Sequence, residues 1–162
     1  MIKIRQAETS DLREVAQINI DNWQRTYENI LPKSFLDQLT LTDTLEKWQQ
    51  FYSENTHIML IAESDNQVAG FIAVSIDSQM SNALYVDALH VSNHFQRKGV
   101  GTKLLIEILD RAKKNQQLVT IAILKENENA RNLYIKLGAV HLKNFTDYFG
   151  DVVTRSERLI WR

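Results

Sequence analysis

The stretch from Ala83 to Ala112 constrains the fold more than any other part of the chain. Residues 83–91 (ALYVDALHV) carry apolar side chains at both odd and even positions, interrupted by Asp87 and His90. A strand of that kind is covered on both faces, so it lies inside a sheet. A loop, SNHFQRKGVG, follows it. Apolar residues then recur at helical spacing: Val100, Leu104, Leu105, Ile108, Leu109 and Ala112. Lys113 and Lys114 close this helix where its dipole favours cations.

The remaining elements arrange themselves around this unit. Residues 2–7 alternate as a short strand. Asp11 and Glu14 have capping-box spacing for a helix whose apolar stripe runs Leu12, Ala16, Ile20, Trp23, Tyr27. Pro32 opens a short helical piece with Phe35, Leu36 and Leu39 inward. Another helix has Asp43 and Glu46 at its start and Leu45, Trp48 and Tyr52 on one face. The period then changes. Residues 57–63 and 67–76 read as strands joined by Asp65-Asn66, a hairpin turn. Residues 118–123 form a buried strand, Asn127 caps a helix carrying Ala130, Leu133, Tyr134 and Leu137, and Gly138 ends it. Two closing strands, 139–146 and 152–161, make a hairpin. The order β, α, α, β, β, β, α, β, α, β, β predicts an α/β fold: a mixed sheet under helices rather than a uniform βα alternation.

With 162 residues, 44% hydrophobic and 24% charged, the chain is the size and composition of one domain, 1–162. It contains no cysteine, so thiol nucleophiles and cysteine-bound zinc are excluded. No apolar run reaches the ~18 residues of a membrane span, and no signal-peptide core is present; the cytoplasm is the expected compartment. The four histidines (His57, His90, His94, His141) show no metal-ligand spacing, so no metal is expected. A pI near 6.4, without basic-aromatic interleaving, argues against nucleic acid as a partner. Charge is unevenly spread. Residues 1–81 carry a net −6 and residues 82–162 a net +5. An acidic half suits a cationic ligand and a basic half suits phosphates; solvated faces clustered by chance would read the same way.

The chemistry concentrates at Gln96-Arg97-Lys98-Gly99-Val100-Gly101-Thr102, between a central strand and a helix start. Free N–H groups and the helix dipole make an anion site there. Gly99 and Gly101 let a ligand approach the backbone, and Arg97, Lys98 and Lys103 add positive charge. A dinucleotide G-x-G-x-x-G needs glycine where Leu104 stands, and no Walker A loop is present. The expected ligand is a pyrophosphate or similar polyanion; an ordinary strand-to-helix turn with basic solvation is the competing reading.

The stretch L-H-V-x-x-x-F-Q-R-K-G-V-G from Leu89 to Gly101 resembles the acetyl-CoA signature of the GNAT superfamily of N-acetyltransferases. A second block, Asn127-x-x-Ala130-x-x-Leu133-Tyr134-x-Lys136-x-Gly138, resembles that family's other conserved helix. Trp23-x-x-Thr26-Tyr27 with Ile30-Leu31-Pro32 is similar to many bacterial members. The order of elements fits over nearly the whole chain.

The resemblance implies a central, mostly antiparallel sheet of about seven strands with helices on both faces, splayed between strands 4 and 5. Acetyl-CoA, the cosubstrate, inserts into that gap. The backbone of Arg97, Lys98, Gly99, Val100, Gly101 and Thr102 cradles its pyrophosphate, and Gln96 matches the leading Gln or Arg of the motif. Leu89, His90 and Val91 run beside the pantetheine arm, with Leu89 and Val91 offering backbone groups to it and to the thioester carbonyl. A donor aimed at that carbonyl stabilises the developing oxyanion by a few kcal/mol. Asn127 contacts the arm or caps its helix, and Ala130 follows in the same block. Tyr134 matches the general acid that protonates the departing thiolate; a phenol on an apolar stripe also fits a plain core residue.

Asp87 is the candidate general base or ammonium anchor. A carboxylate inside a central strand is costly unless paired, and desolvation raises its pKa. By alternation it shares a face with Tyr85 and Leu89. A structural salt bridge to a helix Lys or Arg is the competing reading, and a water chain would serve as base equally well. Trp23, Tyr27 and Tyr85 are the candidate acceptor-binding residues, although aromatic stripes are often core; Asp21 and Glu28 flank them. The functional expectation is an acetyl-CoA-dependent N-acetyltransferase acting on a primary amine, small and cationic, by direct attack. The alternatives are acetylation of a protein N-terminus or lysine, and a non-catalytic coenzyme A-binding module. A homodimer through the closing hairpin is compatible with its open edge.

Overall fold

The computed structural model describes all residues, Met1–Arg162. Its elements are β1 (Lys3–Gln6), α1 (Leu12–Thr26), α2 (Lys33–Leu36), α3 (Leu41–Ser53), β2 (Ile58–Ser64), β3 (Gln67–Ile76), β4 (Ala83–Val91), α4 (Val100–Lys114), β5 (Leu118–Leu124), α5 (Glu128–Lys136), β6 (Val140–Phe149) and β7 (Val152–Trp161). One seven-stranded sheet has the order β1-β2-β3-β4-β5-β7-β6. Every neighbouring pair is antiparallel except β4 and β5. Asp65 and Asn66 both take positive φ (52° and 61°), the geometry a two-residue hairpin needs.

The sheet is covered on both faces, as the doubly apolar β4 requires. On one face, α4 and α5 bury Leu60, Ile72, Leu84 and Val86 together with Leu104, Leu105 and Ile108. Those three α4 residues are fully buried, each contributing about 1.5–3 kcal/mol of burial. On the other face, α1 and α3 cover Met59, Ile61, Phe71 and Ala73, with Trp48 of α3 at the centre. No helix is long and apolar enough to cross a membrane.

Two local expectations need correction. Asp11 does not cap α1 with its side chain. Its carboxylate turns back to accept from the Glu8 N–H at 2.7 Å and from both Arg5 terminal nitrogens at 2.7 and 2.9 Å. The guanidinium outcompetes a neutral cap because a charge-assisted, bidentate bond is the stronger one. The buried stripe of α1 is also rotated. It includes Val15, Asn19 and Asn22, whereas Trp23 and Tyr27 are only half-buried.

A further correction concerns β4. The β3–β4 register slips between Ala73 and Val74, so that Ala73 faces Ala88 while Val74 faces Val86. Asp87 is the extra residue of this bulge, and alternation breaks there. Leu84 and Val86 belong to the α4 face, Ala88 packs on the α1–α3 face, and Leu89 returns to the α4 face. Leu89 therefore does not share a face with Tyr85.

Candidate active site

Strands β4 and β5 pair only from Ala83–Leu118 to Val86–Ile121. Beyond that point β4 keeps β3 as its neighbour and β5 keeps β7. The two parallel strands thus diverge at the bulge, and a cleft of about 760 Å³ opens between them. Its lining draws on α1 (Asn22, Trp23, Arg25, Tyr27), β4 (Val86 to Val91), the start of the following loop and helix (Gln96, Gly101), β5 (Ile121 to Ile123) and α5 (Asn127 to Tyr134). Cavities of this size and position are the usual seat of small ligands in such sheets.

At the cleft mouth the loop before α4 presents unpartnered backbone donors. Arg97 (φ 62°) and Gly99 (φ 76°) take left-handed backbone conformations. Space does not require glycine at 99, since a Cβ there would meet nothing within 4 Å; the left-handed conformation favours it. None of the N–H groups from Gln96 to Thr102 has an intramolecular backbone or side-chain partner. Two left-handed turns followed by a helix start gather these donors into one concavity. Arg97, Lys98 and Gly99 are exposed. The Val100 side chain is core, so only its backbone can serve a ligand. Thr102 is half-buried, and Lys98 Nζ lies 5.6 Å from the Phe95 ring centre.

The end of β4 is pinned from two sides. The Val91 carbonyl accepts from Asn22 Nδ2 at 2.9 Å and from Gln96 Nε2 at 2.9 Å. Both lone pairs of that oxygen are engaged, and the side chain of Gln96 holds the loop to the end of β4. His90 turns toward α1, within 3.5 Å of Asn19 and 3.4 Å of Asn22. Trp48 donates to Asn19 at 2.8 Å and completes this polar seam. Burial, then the nearby Lys47 charge, pushes the His90 imidazole down to about 4, so it is neutral at pH 7.

On the opposite wall, the Asn127 side chain accepts from the Ala130 N–H at 3.4 Å and caps α5. Ala130 packs on the core beside it. Tyr134 is buried, with its ring 5.8 Å from Trp161 in an edge-on arrangement. Burial, reinforced by neighbouring Tyr27, raises its phenol well above the ordinary value, so it keeps its proton at any physiological pH. Glu157 of β7 ties down this helix, accepting from Arg131 at 2.7 and 3.2 Å and meeting His141 at 2.6 Å.

Asp87 reaches the cleft from the bulge. It makes no salt bridge. Its one side-chain partner is the Ser75 hydroxyl, which donates at 2.6 Å. Partial desolvation raises its pKa above the usual carboxylate value; the Ser75 bond and the charges of His57 and Lys47 oppose the rise. Tyr85 lies outside the cleft, half-buried, with Arg158 5.4 Å from its ring centre. Trp23 and Tyr27 do line the cleft, 4.7 Å apart, and Trp23 also meets Phe149 at 5.3 Å. No three His, Asp or Glu side chains gather in a metal-binding group.

Sequence reasoning missed Asn22, Arg25, Glu126 and Glu128, all of which line the cleft. For Asn22 a signal existed, because Leu12, Val15, Asn19 and Asn22 share one helical stripe.

The diverging parallel pair, the bulge and the donor-rich loop make a cleft with anion-binding donors at its mouth, and comparison with known proteins gives its class. The acetyltransferase (GNAT) family matches over residues 17–139. A probable N-acetyltransferase of Mycobacterium tuberculosis is 28% identical over 137 residues, covering 83% of this chain and 78% of that one. An uncharacterized N-acetyltransferase of Bacillus subtilis is 27% identical over 110 residues, covering 65% of this chain and 61% of its own length. The solved structure of PaiA N-acetyltransferase from Thermoplasma acidophilum in complex with coenzyme A has a TM-score of 0.73 at 20% identity, covering 96% of this chain and 98% of that one. The chain belongs to the acetyltransferase (GNAT) family, and by that membership it is an acyltransferase.

Proposed function

We propose that this chain moves an acetyl group from acetyl-CoA to the primary amine of a small cationic acceptor, by direct attack within the cleft. The observation that carries this reading is that one cleft joins an unpartnered row of N–H groups at its mouth to Tyr134 and Asp87 on its two walls. The relative solved with coenzyme A shares the fold that produces such a cleft. Acetyl-CoA supplies an activated acyl group whose leaving thiol needs a proton.

The chain's own residues divide the remaining work. N–H groups of Arg97 to Thr102 hold the pyrophosphate, and the β4 edge near Leu89 and Val91 orients the pantetheine arm. Asp87 draws in the acceptor ammonium and accepts its proton, directly or through water. The amine nitrogen bonds the acetyl carbon as the carbon–sulfur bond breaks, Tyr134 Oη delivers its proton to sulfur, and the second proton that the nitrogen sheds on becoming an amide returns through water to the phenolate. Trp23 and Tyr27 wall the acceptor. The charged lining favours a cation. Asp87, Glu126 and Glu128 face the cleft, against one formal positive charge. Thiol release from acetyl-CoA, measured against polyamines, aminoglycosides, amino acids and short peptides, tests this. Fastest turnover with the first two groups is expected; a preference for neutral, acidic or peptide acceptors overturns the acceptor assignment.

A further inference from the structure

We propose that Arg25, carried on α1, is an additional ligand for the pyrophosphate of the cosubstrate, reaching the anion loop from the side opposite α4. The inference rests on the reading that acetyl-CoA occupies the cleft. Arg25 is the only Lys or Arg among the residues lining that cleft, and with His90 neutral it is the only formal positive charge there. It pairs with no carboxylate. Its guanidinium is nevertheless positioned, donating from one terminal nitrogen to Asn22 Oδ1 at 2.6 Å.

Asn22 is the link to the loop. It is buried, and its Nδ2 shares the Val91 carbonyl with Gln96 Nε2, each at 2.9 Å. Gln96 begins the run of unpartnered N–H groups. The chain Arg25–Asn22–Val91–Gln96 therefore fixes a guanidinium beside the entrance of the anion concavity. One terminal nitrogen of the guanidinium is anchored, and its remaining N–H donors suit two phosphate oxygens. The acidic residues Glu126 and Glu128 sit on the α5 wall of the cleft, across from Arg25 on the α1 wall.

Titration calorimetry with coenzyme A, 3′-dephospho-coenzyme A and pantetheine tests the assignment on the full chain. Arg25→Ala is expected to weaken coenzyme A and its dephospho form equally, by about tenfold, and pantetheine by less than about twofold. Arg25→Lys keeps the charge without the planar fork and is expected to fall between. Arg25 is exposed, so an unchanged melting temperature is expected. Equal losses for pantetheine and coenzyme A, or no loss for either, overturn the proposal. A loss with coenzyme A that disappears with the dephospho form assigns Arg25 to the 3′-phosphate instead and also overturns it. Wild-type chain that binds no coenzyme A would sink the functional reading together with this one.

Discussion

Val86 and Ile121 are the last residues that β4 and β5 set opposite one another. Past them, each strand follows its other neighbour, and the space left between holds the site. The bulge at Asp87 lies one residue beyond Val86, so the feature that bends β4 also delivers the carboxylate.

Tyr134 faces this gap from α5 with a phenol that burial holds protonated. Tyr134→Phe keeps the ring against Trp161 and removes only the hydroxyl, the acid of the proposed mechanism. It is expected to lower kcat by about a hundredfold while leaving the dissociation constant for coenzyme A within about twofold. Because the phenol titrates far above neutrality, the wild-type rate should not fall between pH 7 and 9 through loss of this proton. Steady-state rates and coenzyme A titration across that range check both statements.

Asp87 must be ionised to take a proton, and its pKa lies above the ordinary carboxylate value. The rate, as kcat/KM, should therefore fall on acidification, with a midpoint above 3.8. Asp87→Asn should remove that limb and cost about a hundredfold. Ser75→Ala removes the hydrogen bond that favours the ionised form, so the midpoint should move to higher pH. An acid limb unmoved by either substitution would assign the base elsewhere.

Asp77 and Arg158 form a buried ion pair beside the site, joined by Thr120. Burial alone would raise the Asp77 pKa; hydrogen bonds from Thr120, the Gln79 N–H and Arg158 outweigh it and hold the group below the usual value. Arg158→Ala strands that carboxylate and should cost about 3–5 kcal/mol, lowering Tm by roughly 10 °C. Asp77 has a depressed folded pKa, so its contribution is present above its unfolded value and lost as pH falls through the folded one. Thermal melts of wild type and variant should therefore converge as the pH falls from the ordinary value of 3.8 through the lower one of the folded chain.

The segment 83–112 was legible because strand burial, loop and helix are each local patterns, and the structure places buried residues at Val100, Leu104, Leu105, Ile108 and Ala112 as the spacing predicts. The turn at Asp65-Asn66 and the Asn127 cap were readable for the same reason, whereas the splay between β4 and β5 followed only from the family resemblance. The bulge was not, since nothing in ALYVDALHV tells an alternating strand from one with a slipped residue. Asn22 shares a helical stripe with Leu12, Val15 and Asn19, which signals burial, but only the fold brings it to Val91, 69 positions away. Arg158 and Asp77 are 81 positions apart and carry no local signal for each other.

The initial-rate pattern with acetyl-CoA and a reactive amine varied together tests the central claim most directly. If both substrates meet in the cleft and the amine attacks the thioester itself, the double-reciprocal lines intersect. The chain has no cysteine to carry the acetyl group between them. Parallel lines, with an acetylated form of the chain isolable in the absence of amine, would contradict the account.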